Sequence, residues 1–291
     1  MRRALRLGLA LLLLISASLP LSGAAHASTL EAAVLAGTTI RSVSLRFPKH
    51  ELPHGQPLQV LVALHGMGGN GDDFARDLQD QADRYGWVLV APTIAYGDWT
   101  NPDAVAREEP MLIKGLTDYL DMLPQITHQQ VRKRVLVLGH SRGAQLAHRF
   151  AEFRPDRVLA VAALSAGTYT LPESARHFPY GVKDLAAYAG KAFDARNLLG
   201  VQFWVGVGGQ DNNAADVPRQ WDYEGTTRVQ RAQAFEAAMQ ELGATSVLRV
   251  FKDAKHEVTG EMRSAACAFL DAAVMPEPRL GTPRGQSALA L

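Results

Sequence analysis

A single cysteine, Cys267, stands among 291 residues, so the chain can close no disulfide within itself. No H-E-x-x-H and no Cys/His cluster at ligand spacing occurs, which argues against a zinc centre, and no metal or other cofactor is expected. The glycine-rich stretch HGMGGNG lacks the lysine of a P-loop and the spacing of G-x-G-x-x-G, so it does not read as a phosphate cradle. Blocks of one charge are missing too. Lys and Arg number 30 against 29 Asp and Glu, a formal net charge of +1, and no nucleic-acid or anionic-membrane partner is expected. No apolar run is long enough to span a bilayer, and no internal repeat is found. What is present, 47% hydrophobic and 20% charged residues, describes a globular chain with a sizeable core.

The two ends differ from the rest. Arg2, Arg3 and Arg6 precede the apolar run Leu7 to Ile15, and Ala25-His26-Ala27 is a small-x-small cleavage site. Residues 1–27 are therefore expected to be a signal peptide cut near Ala27, giving a periplasmic or secreted product without a stable membrane anchor. Its loss would turn the net charge slightly negative. No cysteine lies near that point, so lipid attachment there is excluded. The stretch 276–291, with three prolines and two glycines and no periodicity, is expected to be a disordered tail, leaving one domain over 28–275.

Between these ends, short apolar runs alternate with helical spacings. Strands are expected at Thr38 to Phe47, Leu58 to Leu64, Trp87 to Ala91, Arg134 to Leu138, Val158 to Leu164, Val201 to Val207 and Ser246 to Phe251. Helices are expected after Asp72 or Asp73 as cap, over about 15 residues around Glu109 to Met122, at Ala144 to Phe153, at Thr226 to Leu242 and at Glu257 to Ala273. Such alternation predicts a mostly parallel sheet covered by helices on both faces. Residues 166–199 break the rhythm and carry Tyr169, Phe178, Tyr180, Tyr188 and Phe193; they read as a lid-like insertion over the site, after the fifth or sixth strand. Cys267 falls in an apolar helical stretch and reads as a buried small hydrophobe.

The chemistry centres on RVLVLGHSRGAQLAHRF, residues 134–150. A buried strand, then Gly139-His140-Ser141-Arg142-Gly143, then a helix is the order a nucleophile elbow requires, with Ser141 held exposed on a strained turn. A serine nucleophile needs a base in hydrogen-bond reach and a group to orient that base, placed on loops after later strands with the acid first. Of nine histidines, His256 alone follows the last strand. Asp211, directly after the strand VQFWVGVGG, is the expected acid, with Asp216 and Asp222 on the same loop as alternatives. The oxyanion would be held by the backbone N–H groups of Arg142 and of Met67 in the glycine turn. Asp98, Trp99 and Trp221, with His65 and His140 on the two glycine turns, are the expected pocket lining, although both histidines also suit loop support.

In the order LHGMGGN, GHSRG, GGQDN and KHE, these motifs resemble the α/β-hydrolase superfamily over about residues 40 to 273. Within it the layout is similar to secreted esterases of the polyhydroxybutyrate depolymerase and feruloyl esterase type. The resemblance implies the α/β-hydrolase fold and a serine hydrolase acting on a small or oligomeric carboxylic ester through an acyl-enzyme. The same triad would serve an amidase or peptidase, and the same fold a catalytically silent binding protein.

Overall fold

The computed structural model describes residues 31–49 and 55–274. The expected signal peptide at 1–27, His50, His54 and the tail at 276–291 lie outside the described residues. Seven strands form one sheet: β1 (Ile40–Arg46), β2 (Gln59–Leu64), β3 (Trp87–Ile94), β4 (Val135–His140), β5 (Val158–Leu164), β6 (Gln202–Gly208) and β7 (Thr245–Phe251). Their spatial order is β1-β3-β2-β4-β5-β6-β7. β1 runs antiparallel to β3, and every other neighbouring pair is parallel. The connecting helices are α1 (Gly71–Tyr85), α2 (Pro102–Thr127), α3 (Arg142–Phe153), α4 (Leu185–Ala189), α5 (Ala195–Leu198), α6 (Arg228–Glu241) and α7 (Gly260–Ala273).

Apart from Gln59, His140 and Gln202 at their ends, the central strands β2, β4, β5 and β6 carry no polar side chain, because both of their faces are covered. Along β2, Val60, Val62 and Leu64 join the cluster that holds Leu112, Leu116, Phe150 and Phe235 of α2, α3 and α6. Leu61 and Ala63 turn to the opposite cluster, with Leu78 of α1 and Met262 and Leu270 of α7. Each such side chain taken fully out of water stabilises the fold by about 1.5–3 kcal/mol. Cys267 is buried in α7, and burial pushes its thiol up to about 12.

Three expectations need correcting. α2 has 26 residues, not about 15, and runs through Pro110 and Pro124. Its buried face from Val105 to Leu123 outweighs the backbone bonds that proline removes. The cap of α1 is Asn70, whose side chain accepts from Asp73 N at 2.8 Å. Asp72 and Asp73 instead sit in the first turn, where their charge faces the positive end of the helix. Third, α7 starts at Gly260 with Thr259 as cap, which leaves His256 on the preceding loop.

The segment 166–199 follows β5, but it is not a lid. Its aromatics point into the α2/α3/α6 layer: Phe178 meets Phe153 at 5.3 Å between ring centroids, Tyr188 meets Phe178 at 4.9 Å, and Tyr169 stacks on Phe235 at 4.5 Å. Tyr169 and Phe178 are buried there, a burial that a flap over solvent could not supply.

The same layer holds a buried ionic network. Arg142 and Arg149, two turns apart on α3, meet Glu108 and Glu109 of α2. Arg142 Nη2 donates to Glu108 at 2.7 Å, and Arg149 Nη1 to Glu109 at 3.1 Å. Arg149 also donates to Thr170 at 2.9 Å and Thr168 at 3.0 Å. Nearby, burial pushes the Glu152 carboxyl well above its usual range and Glu224 up to about 8.

Removing one partner of a buried pair strands the other charge, so Glu109→Gln should lose about 3 kcal/mol of stability. Urea unfolding checks this; a midpoint equal to that of the parent chain would contradict the network's role. Glu224 keeps its proton in the native state up to about pH 8, whereas an unfolded glutamate, which titrates near its ordinary 4.5, has released it. The native state then binds more protons, and this carboxyl makes stability fall as pH rises between those values. Glu224→Gln should flatten that slope between pH 5 and pH 8, and an undiminished slope would assign it to other groups.

Candidate active site

β4 ends at His140, and the chain turns at Ser141 into α3 with φ 54° and ψ −116°. A residue with a side chain reaches this region only when its surroundings force it, at a cost of about 1–3 kcal/mol. The surroundings are tight. A Cβ on Gly139 would strike the carbonyl of Gly143, and one on Gly143 would strike the carbonyl of Leu64 at the end of β2. Ser141 N is tied to Leu164 O at 2.8 Å, and Ser141 O accepts from Ala144 N at 3.0 Å. The spacing G-x-S-x-G thus follows from three backbones converging on one point.

The turn after β2 runs beside this elbow. A Cβ on Gly66 would stand 3.2 Å from His140 Nδ1 and 3.3 Å from Ser141 Cβ. His65 holds the turn: its Nδ1 donates to Gly66 O at 2.7 Å, and its Nε2 accepts from Ile94 N at 2.9 Å. Those two bonds fix a neutral tautomer. Burial also lowers its basicity, partly opposed by the bond to Gly66. The backbone N–H groups of Met67 and Arg142 donate to no acceptor among the described residues. The Arg142 amide is one of the unpaired donors at the positive end of α3.

His256 lies on the loop between β7 and α7, and its Nε2 is 2.9 Å from Ser141 Oγ. Its Nδ1 is 2.7 Å from Asp211 Oδ2. Residues 115 and 45 positions apart in sequence are thus strung into one Ser–His–Asp array. Asp211 follows β6 and is buried. Desolvation would raise its carboxyl, but the bond to His256 and the charge of Arg228 overcome it and hold the group below its usual range. The alternatives are engaged elsewhere: Asp216 Oδ1 accepts from Asn213 Nδ2 at 3.1 Å, and Asp222 pairs with Arg231 at 3.3 Å.

A cavity of about 520 Å³ opens onto Ser141 and His256. Its wall comes from the turn 65–70, Asp73, Phe74 and Asp77 of α1, Trp99, His140 and Arg228. His65, Met67, Trp99 and His140 line this cavity. Asp98 and Trp221 do not. Asp98 is exposed and closes an Asx turn, accepting from Thr100 N at 2.9 Å and Thr100 Oγ1 at 2.6 Å, which keeps its carboxyl low. Trp221 is fully buried against Tyr180, 4.7 Å between centroids, because the loop folds inward there. No residue of 166–199 lines the cavity. The Arg142 guanidinium also stays out of it, buried beneath the elbow.

Two features escaped the sequence reading. The α1 wall could have been suspected from the helix that directly follows HGMGGN. Arg228 gave no local signal: it opens α6, 17 positions from Asp211, yet donates to Asp211 Oδ1 at 2.9 Å. Among the described residues, no three His, Cys, Asp or Glu side chains converge so as to hold a metal ion, and no helix is long and apolar enough to cross a membrane.

Comparison with known proteins agrees on the architecture. Poly(aspartic acid) hydrolase-1 from Sphingomonas sp. KT-1 superposes with a TM-score of 0.63 at 23% identity, over 80% of this chain and 95% of that one. A poly(3-hydroxybutyrate) depolymerase from Bordetella parapertussis gives 0.61 at 21%, over 81% and 85%. A phospholipase/carboxylesterase from Dyadobacter fermentans gives 0.52 at 17%, over 80% and 97%. At these identities the likeness is one of fold. No curated protein matches the chain by sequence. The alpha/beta hydrolase family model matches residues 61–279, most of the chain, and with this sheet and this elbow the protein belongs to the alpha/beta hydrolase family and is a hydrolase.

Proposed function

We propose that this hydrolase is an exported serine esterase that cleaves carboxylic esters through an acyl-enzyme. The observation that carries the reading is the unbroken contact chain from Ser141 Oγ through His256 to Asp211, opening onto a cavity beside two unengaged amides. His256 Nε2 takes the Ser141 proton as Oγ bonds to the ester carbonyl carbon. Asp211 Oδ2 accepts from Nδ1–H, fixes the tautomer that leaves Nε2 free, and stabilises the imidazolium that forms. The carbonyl electrons move onto oxygen, where the Met67 and Arg142 amides receive them. Collapse expels the alcohol, which takes the proton from His256. A water, deprotonated by the same ring, then releases the acid and restores Ser141.

The His256 side chain is 35% exposed, and the insertion lies elsewhere, so a chain longer than the cavity can be admitted. The poly(aspartic acid) hydrolase and the poly(3-hydroxybutyrate) depolymerase are named for polymers, and oligomeric esters are accordingly within the proposed range. Export rests on the basic start, apolar run and cleavage pattern of residues 1–27.

Protein lacking residues 1–27 should hydrolyse p-nitrophenyl esters from acetate upward, and Ser141→Ala should lose on the order of 10⁴-fold or more in kcat. Equal rates in both proteins, or none in either, would remove Ser141 as an esterase nucleophile; faster Ser141-dependent cleavage of aryl amides would move the reading to an amidase. The full-length chain, expressed in a bacterium with an outer membrane, should be recovered from the periplasm or medium starting at Ser28. Recovery from the cytoplasm with Met1 retained would refute export.

A further inference from the structure

The Asp211 carboxylate serves two donors on separate oxygens. His256 Nδ1 holds Oδ2 at 2.7 Å, and Arg228 Nη1 holds Oδ1 at 2.9 Å. The Arg228 and Asp211 side chains are 6% and 1% exposed, so this pair is hardly screened by water. A second guanidinium nitrogen, Nη2, donates to Asp216 O at 3.0 Å, which ties down the far end of the loop that carries Asp211. Arg228 is the first residue of α6, whose cap Thr227 accepts from Gln230 N, so the guanidinium is presented from a helix rather than from a loop. Its Nε is buried without a partner among the described residues, and among them Asp211 is the carboxylate paired with its guanidinium.

We propose that Arg228 is a positioning residue of the Ser141–His256–Asp211 array. It grips one Asp211 oxygen so that the other meets the His256 ring, and its charge offsets the pull of the carboxylate on the imidazolium. The inference rests on the esterase reading for its kinetic consequence but not for its electrostatic one. Asp211 must stabilise the imidazolium that forms during attack, yet an uncompensated buried carboxylate would hold a proton on His256 and take away the base. A guanidinium on the far oxygen moderates that pull without competing for the ring. The other titratable groups nearby do not supply this. His140 on the cavity side is neutral at ordinary pH, burial and then the charge of His256 pushing it down to about 4. Tyr169, on the buried side, is kept protonated, and Arg231 is spent on the carbonyls of Gly167, Pro218 and Gly225 and on Asp222.

The sign of the test follows. Without the guanidinium the carboxylate acts at full strength, which favours the protonated ring, so the acid limb of kcat/KM moves to higher pH. Arg228→Gln and Arg228→Lys would be compared with the parent protein in two ways: kcat/KM against pH on p-nitrophenyl acetate, and titration of the His256 ring by NMR, with His256→Ala for assignment. Arg228→Gln should shift both the acid limb and the ring midpoint upward by about half a pH unit or more and lower kcat about tenfold. Arg228→Lys keeps the charge but loses the fork to Asp216 O, so its midpoint should stay near that of the parent while kcat still falls. An unmoved ring midpoint in Arg228→Gln would overturn the proposal, as would a Lys variant that titrates like the Gln variant. Should the Gln variant fail to fold, the Lys variant decides alone: a shifted midpoint, or a parental kcat, overturns it. The ring titration needs no substrate, so a failed esterase reading would appear separately, as absence of turnover that depends on Ser141.

Discussion

The elbow depends on a cation that never reaches solvent. The Arg142 guanidinium lies between Glu108 and Glu109 of α2, with its central carbon 4.9 Å from the Tyr96 ring centroid. Taking such a charge out of water costs several kcal/mol, and pairing does little better than recover it, so the network is a weak source of net stability. What it supplies is position. Glu108 also accepts from Gly97 N at 2.8 Å, which anchors the loop carrying Trp99 to the same helix. The backbone amide of Arg142, next to Ser141, has no acceptor among the described residues, while its side chain is locked in the ionic network. One residue thus couples an amide donor, the α2 register and part of the cavity wall, and a shift of α2 would be felt at Ser141.

The parts of this arrangement that were legible in the sequence are those written in local pattern. The unbroken apolar runs at Leu58 to Leu64 and Val158 to Leu164 mark strands covered on both faces. G-H-S-R-G between strand and helix marks the elbow because three backbones converge there and only glycine fits on either side of Ser141. His256 was reachable by chain order alone. The longer course of α2 was hidden because proline is read as a breaker, whereas a buried face from Val105 to Leu123 outweighs it. The aromatics of 166–199 suggested a lid because sequence gives their number and not their direction. Trp221 misled in the same way.

Choice of the acid shows where sequence runs out. Asp211, Asp216 and Asp222 share one loop, and in sequence only the place of Asp211 directly after the strand favours it over the other two. The loop's path decides: Gly209 N bonds to Phe251 O at 2.7 Å and Gln210 N to Ala254 O at 2.9 Å, which lashes the start of the loop to the β7–α7 connection. That lashing delivers Asp211 to the loop bearing His256 and turns the later acids outward. Arg228 is invisible for the same reason. Its value lies in a contact between α6 and the end of β6, and no periodicity encodes it.

Two imidazoles meet at the cavity floor, the His140 and His256 rings 5.1 Å apart, and their environments drive them to opposite uses. His140 is half-buried, and its Nε2 is buried without a partner among the described residues, which suits a neutral ring. Burial accounts for most of that, and a proton on His256 would reinforce it, since two cations at this separation repel in a medium that screens poorly. His256 reaches solvent and has a carboxylate behind it. The neutral His140 ring fills the space next to Gly66, beside the ring that touches Ser141. Sequence presents two histidines next to glycine turns and strand ends. Only the difference in burial tells which of them can carry charge.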